Sequence, residues 1–204
     1  MSRVFLASRN AKKVSELRRI LAQFLPDIEV LGAGDVPSYD EPAETEATFE
    51  GNALIKARAG LATTGLASLA DDSGLCVDAL NGMPGVLSAR WAGSAKDDRA
   101  NNALLLDQLQ DTPDERRGAS FRCAVALCLP DGAEQVTFGE MPGRVIRELR
   151  GGHGFGYDVL FVPDGSTRTT AELPDADKDA ISHRARALRN IAPAVAEALR
   201  HPRA

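Results

Sequence analysis

The chain is short of cysteine, of long apolar runs and of excess positive charge, and each shortage closes off a class of protein. Cys76, Cys123 and Cys128 are an odd number with no CxxC spacing. Each sits in an apolar stretch, so the expected role is a small buried hydrophobe rather than a disulfide, a zinc ligand or a catalytic thiol. No stretch approaches the roughly 18 apolar residues of a membrane span, and the opening MSRVFLASRN has too short an apolar run for a signal-peptide core. A cytoplasmic protein without membrane contact is therefore expected. Twenty-four Lys and Arg against 29 Asp and Glu give a net charge of -5. That balance argues against a broad nucleic-acid footprint and leaves room for a locally basic pocket. Internal repeats and low-complexity linkers are also missing, as is the Walker pattern GxxxxGK followed by Ser or Thr.

What is present is an alternation of strand and helix signals. The 204 residues, 44% hydrophobic, are enough for one compact domain or two closely packed lobes. Val4 to Ala7 predicts a strand, and Val14, Leu17, Ile20, Leu21 and Phe24 then recur at helical spacing. Ile28 to Leu31 predicts a second strand, followed by an acidic loop from Asp35 to Glu46 and a helix from Phe49 to about Gly65. Ser68 to Ala70 and Leu75 to Leu80 read as strands flanking Asp71, Asp72, Ser73 and Gly74. Ala95 to Leu109 reads as a helix whose first turn holds Asp97 and Asp98, where carboxylates suit the dipole. Phe121 to Leu129 and Gln135 to Phe138 make an antiparallel hairpin around Pro130, Asp131 and Gly132. Strands are expected at Arg144 to Leu149 and Tyr157 to Val162, and one last helix carries Ile181, Ala185, Leu188, Ile191, Val195 and Leu199. The fold class is α/β.

Four segments offer chemistry. Ser8, Arg9, Asn10, Ala11, Lys12 and Lys13 stand where a strand ends and a helix begins, a junction that aims unpaired N–H groups and the positive dipole end at an anion. An ordinary capped helix is the competing account. Asp71 and Asp72 lie between apolar runs, where paired carboxylates are costly unless a cation or a proton transfer uses them. Magnesium, which takes one or two carboxylates plus substrate phosphates, would be served by an Asp here and a Glu from the Asp35 to Glu46 loop; a plain Asp-Ser-Gly turn is the alternative. Gly151 to Asp158 combines glycines that permit close backbone approach with Phe155 and Tyr157, on which a base could stack. A tight bend with two core aromatics explains it equally. Lys178, Ser182, His183 and Arg184 mark a charged helix entry that could also bond phosphate or the oxygen-bearing edge of a purine.

Taken together, SRNAKK, TFEGNALIKA, ADDSGLCVDAL, PGVLSARWAG, GFGYD and AEL followed by Lys178 and ISHR, in this order over nearly the whole chain, resemble the inosine/xanthosine triphosphate pyrophosphatase family. The resemblance implies an elongated mixed β-sheet with flanking helices in two lobes around a central nucleotide cleft. It also implies hydrolysis of ITP, dITP and XTP to monophosphate and pyrophosphate, Mg2+ as cofactor, and a homodimer. Position by position, Ser8 to Lys13 would hold the triphosphate. Asp72 would be proton acceptor and metal ligand, Glu44 the other metal ligand, and Ser73 a substrate contact. Phe155, Gly156, Tyr157 and Asp158, completed by Lys178, His183 and Arg184, would form the base and sugar pocket. Ser8-Arg9 stands where the family usually has Thr-Gly, and Val159 where Pro commonly follows GFGYD. Two rival expectations are a nucleotide binder without turnover and a metal-dependent phosphatase that releases orthophosphate.

Overall fold

A computed structural model describes residues 3–36 and 39–200; the side chains of Ala11 and Lys12 also lie outside the described set, and Pro37 and Ser38 interrupt the acidic loop there. Five α-helices and six strands are assigned among the described residues. The strands are β1 (Arg3–Leu6), β2 (Glu29–Leu31), β3 (Ser68–Val77), β4 (Gly118–Cys128), β5 (Glu134–Val145) and β6 (Phe161–Pro163). The helices are α1 (Ala11–Leu21), α2 (Phe49–Thr64), α3 (Asp98–Gln108), α4 (Asp175–Ile181) and α5 (His183–Arg200). The strands form one sheet in the order β2-β1-β3-β4-β5-β6. It is mixed, as the family resemblance implies. β1 pairs in parallel with β2 and with β3, while β6 runs antiparallel to β5. Among the described residues no helix is long and apolar enough to cross a membrane.

The chain divides into two compact units, Met1–Asp72 with Cys123–Gly139 and Arg184–Ala204, and Ser73–Arg122 with Glu140–His183. In the first unit the strand period of two decides which helix covers which residue. Val4, Leu6, Val125 and Leu127 pack with Leu17 of α1 and with Leu188, Ile191 and Val195 of α5. The residues between them, Phe5, Ala124 and Ala126, pack instead with Ala53 and Ala57 of α2. Small side chains let α2 come close: a Cβ at Gly60 would stand 2.9 Å from the Phe5 ring. Thr48 caps this helix by accepting from the Gly51 amide, and Gly65 ends it with φ 67° and an N–H bond to Leu61.

In the second unit Leu75, Val77, Leu105, Leu109, Tyr157 and Leu160 surround an edge-on pair, Phe121 and Phe161, with ring centroids 4.7 Å apart. Arg117 is buried there, its guanidinium held by backbone. Its guanidinium donates to the carbonyls of Leu109 (2.6 Å), Val145 (2.9 Å) and Ile146 (3.2 Å).

Four expected boundaries differ from the structure. β3 runs unbroken through Asp71-Asp72-Ser73-Gly74, so the two short strands around a turn are one long strand. Partners for both carboxylates remove the cost that would have broken it, and Gly74 fits because a Cβ there would lie 2.3 Å from the Gly85 carbonyl oxygen. The strands expected at Gln135 to Phe138 and Arg144 to Leu149 merge into β5, which stops at Val145. Tyr157 to Val162 opens as a 3-10 turn (Gly156–Val159) because Gly156 has φ 60°, leaving only Phe161–Pro163 as strand. The last helix is two, α4 and α5, separated by Ser182 in extended conformation at the cap position that serine favours.

Candidate active site

In the first unit the chain leaves β1 at Leu6 and enters α1 at Ala11, and short polar side chains organise the passage. The Asn10 amide donates to Ser8 Oγ (3.2 Å), and the Lys13 amide donates to Asn10 Oδ1 (3.4 Å). The backbone of Ala11 and Lys12 opens the helix. Arg9 reaches across its loop to the Tyr39 carbonyl (2.9 Å). Lys13 turns inward and places its Nζ 2.7 Å from Asp71 Oδ2. Arg184, at the start of α5, donates to the same oxygen through Nε (3.1 Å) and has Nη1 3.9 Å from Glu16 Oε2. Burial by itself would raise the Asp71 pKa; Lys13, Arg184 and Lys56 outweigh it and hold the carboxyl well below the usual range. Asp71 is thus a permanent anion that gathers cations.

Asp72, its neighbour on β3, faces the other way and meets a different set. Its Oδ1 accepts from Lys56 Nζ (3.1 Å) and its Oδ2 from Asn52 Nδ2 (3.2 Å). Lys56 also donates to Glu44 Oε1 at 2.8 Å. Of Glu41, Glu44 and Glu46, it is Glu44 that shares the ammonium with Asp72, while the Glu46 amide is tied to Asn52 Oδ1 (2.9 Å). Burial pushes the Asp72 pKa up to about 6; Lys56 opposes this and the Glu44 charge adds to it. For Lys56, burial favours the neutral amine, but Asp72, Asp71 and Glu44 together keep it charged. Glu44 and Asp72 thus share the Lys56 ammonium, whereas Asp71 is met by both Lys13 and Arg184.

The second unit holds the aromatic and glycine-rich residues. Phe155 is half exposed, and the Lys178 ammonium lies 5.1 Å from its ring centroid. Asp158, buried, accepts from Lys178, from the Phe155 amide (2.9 Å) and from Thr170 Oγ1 (2.8 Å). Tyr157 is a core residue whose hydroxyl donates to the Ser88 carbonyl (2.9 Å), with Gly156 beside it. His183 is buried and stacked on Phe121 at 5.0 Å. Ser73 stands partly exposed on β3.

The structure therefore brings Lys13 to Arg184 through Asp71, Glu44 to Asp72 through Lys56, and Phe155 to Lys178 and Asp158. Arg184, expected to donate to a purine oxygen, has its Nε on Asp71. Three residues went unassigned in the sequence. Asn52 and Lys56 stand one turn apart on the buried stripe of α2 with Ala53, Ala57 and Gly60. An amide and an ammonium on such a stripe require buried partners, and that signal was available. Asp71 looked equivalent to Asp72 because only tertiary structure separates their surroundings. Among the described residues no group of three or more His, Cys, Asp and Glu is placed to hold a metal ion.

Comparison with known proteins adds independent information. The profile of the Ham1 family matches residues 4–194. A dITP/XTP pyrophosphatase of Nocardia farcinica is 62% identical over 197 residues, covering 96% of each chain. That of Mycolicibacterium paratuberculosis is 58% identical, again over 96% of each. Among solved structures, a nucleoside-triphosphatase, dITP/XTP pyrophosphatase, from Mycobacterium abscessus superposes with a TM-score of 0.78 at 56% identity, covering 94% of this chain and 99% of that one. A HAM1 protein from Coxiella burnetii gives 0.86 at 39% identity, with coverages of 97% and 100%.

Proposed function

Because this chain belongs to the Ham1 family, we propose that it hydrolyses deaminated purine nucleoside triphosphates, dITP, ITP and XTP, to the monophosphate and pyrophosphate. The observation that carries the chemistry is the Glu44–Lys56–Asp72 cluster, in which a buried carboxylate is pushed up to about 6. A group poised there is ionised at neutral pH and still basic enough to take a proton from water. Asp72 is the general base, and Asn52 and Lys56 orient it through one oxygen each. Lys13 and the opening turn of α1 supply positive charge to the phosphate chain. Phe155 is the stacking surface for the base, with Lys178 behind it.

Magnesium fits the donor set. Glu44 and Asp72 offer hard carboxylate oxygens that share the Lys56 ammonium, and the ion commonly completes its shell with phosphate and water rather than with further side chains. When bound it neutralises charge on the phosphates and on the departing pyrophosphate. A homodimer working in the cytoplasm on the free nucleotide pool completes the proposal, supported by the family resemblance.

The test is a product assay with Mg2+ and ITP, dITP, XTP, ATP or GTP in parallel, with Asp72→Asn as control. Monophosphate and pyrophosphate from the first three, lost in the variant, are expected. Orthophosphate release, or ATP consumed as fast as ITP, overturns the assignment.

A further inference from the structure

The first turn of α3 holds two aspartates that a helix dipole would explain, and the structure separates them. Asp97 is an ordinary cap, accepting from the Ala100 amide at 2.9 Å. Asp98 reaches away from the helix, and its Oδ2 accepts the Gly156 amide at 2.7 Å. One turn later, buried Asn102 uses its amide nitrogen twice, donating to the Gly156 carbonyl (2.9 Å) and to the Asp98 carbonyl (2.7 Å). Residues four apart share a helix face, so α3 presents one side chain to each polar backbone group of a single glycine.

That glycine has φ 60°, a region in which the backbone is held only by its bonds, since no Cβ restricts it. Its neighbour Phe155 has its amide fixed by Asp158 (2.9 Å) while its ring stays 51% exposed. An exposed ring on a backbone secured from both sides, with a cation behind it, is a preformed stacking platform. Preforming matters because ordering a mobile loop on binding costs affinity.

We propose that Asp98 and Asn102 are positioning residues for the base. They hold Gly156, and through it the Phe155 ring, in the pose that receives the purine. This rests on the assignment of the Phe155 loop to the base. Neither side chain touches substrate in this scheme; both act on backbone.

The experiment compares wild type with Asp98→Ala, Asn102→Ala and Asp98→Asn. It measures IMP affinity by calorimetry, inhibition by inorganic tripolyphosphate, kcat and KM for ITP, and melting temperature. In the alanine variants IMP affinity falls and KM rises by about 10- to 100-fold, the value of a hydrogen bond to a charged or buried partner. Tripolyphosphate inhibition and kcat stay close to wild type, while the melting temperature falls modestly in Asn102→Ala, whose side chain is buried and leaves two carbonyls without their donor. Asp98→Asn recovers most of the IMP affinity, since its amide oxygen can still accept from Gly156. Alanine variants that bind IMP as wild type does overturn the clamp alone, and so does equal weakening of IMP and tripolyphosphate. Wild-type protein that binds tripolyphosphate but not IMP overturns the base-site assignment, and the clamp with it.

Discussion

Replacing Lys56 by methionine keeps most of the side-chain volume on α2 and removes an ammonium shared by Glu44 and Asp72. Lys56 and Asp72 are only 4% and 8% exposed, so the Asp72 carboxylate left behind is largely shielded from water, while Glu44 is partly exposed. Breaking a buried pair in this way costs about 3–5 kcal/mol. In a chain of this size that lowers the melting temperature by about 6–20 °C. The loss depends on pH, and its sign follows from the carboxylates. Asp72 has a native pKa of about 6 against an ordinary 3.8, so the folded state retains its proton through that interval. Wild-type stability from this group is therefore greatest below the interval and declines by roughly 3 kcal/mol as pH rises through it. Without the ammonium the Asp72 pKa moves higher, and the decline continues to higher pH in the variant. Lys56 itself titrates above its ordinary 10.5 and adds no slope at neutral pH. The difference between variant and wild type is then smaller near pH 5, where the Glu44 pair alone is lost, and full near pH 8. Thermal melts at both values, without metal, are the assay. A deficit equal at the two pH values, or under about 1 kcal/mol at pH 8, refutes the reasoning.

Three further outcomes are expected. At subsaturating Mg2+, kcat/KM declines with unit slope as pH falls below about 6, because protonated Asp72 cannot accept a proton from water; a profile level down to pH 4.5 speaks against this base. Arg117→Met leaves the Leu109, Val145 and Ile146 carbonyls without their shared donor and costs about 2–5 kcal/mol by thermal melting, with Arg117→Lys recovering only part; an unchanged melt shows that water replaces the guanidinium freely. Gly74→Ala drives a methyl to 2.3 Å from the Gly85 carbonyl oxygen and Ser88 Oγ, so about 1–3 kcal/mol is lost; full stability would mean that the Pro84 to Arg90 segment yields easily.

Local patterns carried far into this protein. The apolar spacing of Val14, Leu17, Ile20 and Leu21 located α1, and Phe49 to Gly65 marked α2 with its true end. What sequence rules misjudged were places where distant residues change the cost of a local choice. Asp71-Asp72-Ser73-Gly74 has turn chemistry, yet it is strand because Lys13 and Arg184, the latter 113 positions away, neutralise one carboxylate, and Lys56 and Asn52 satisfy the other. Tyr157 to Val162 has strand composition, but Tyr157 and Asp158 are drawn to Ser88 and Thr170, which no residue-by-residue preference encodes. Lys56 passed as a helix former because a lysine in a helix is ordinary until its face is known.

The placement of Asp71 and Asp72 on successive residues of one strand makes the backbone a divider between two acid–base environments. On one side sits a carboxylate that stays ionised across the working pH range, on the other one that titrates near neutrality. Near pH 5, carboxyl-carbon NMR of the metal-free protein would find adjacent aspartates in opposite protonation states, an anion and a neutral acid joined by a single peptide bond. A proton can then enter and leave at Asp72 while the ion pairs that anchor α1 and α5 to β3 keep their charge, so turnover need not loosen the scaffold that aims it.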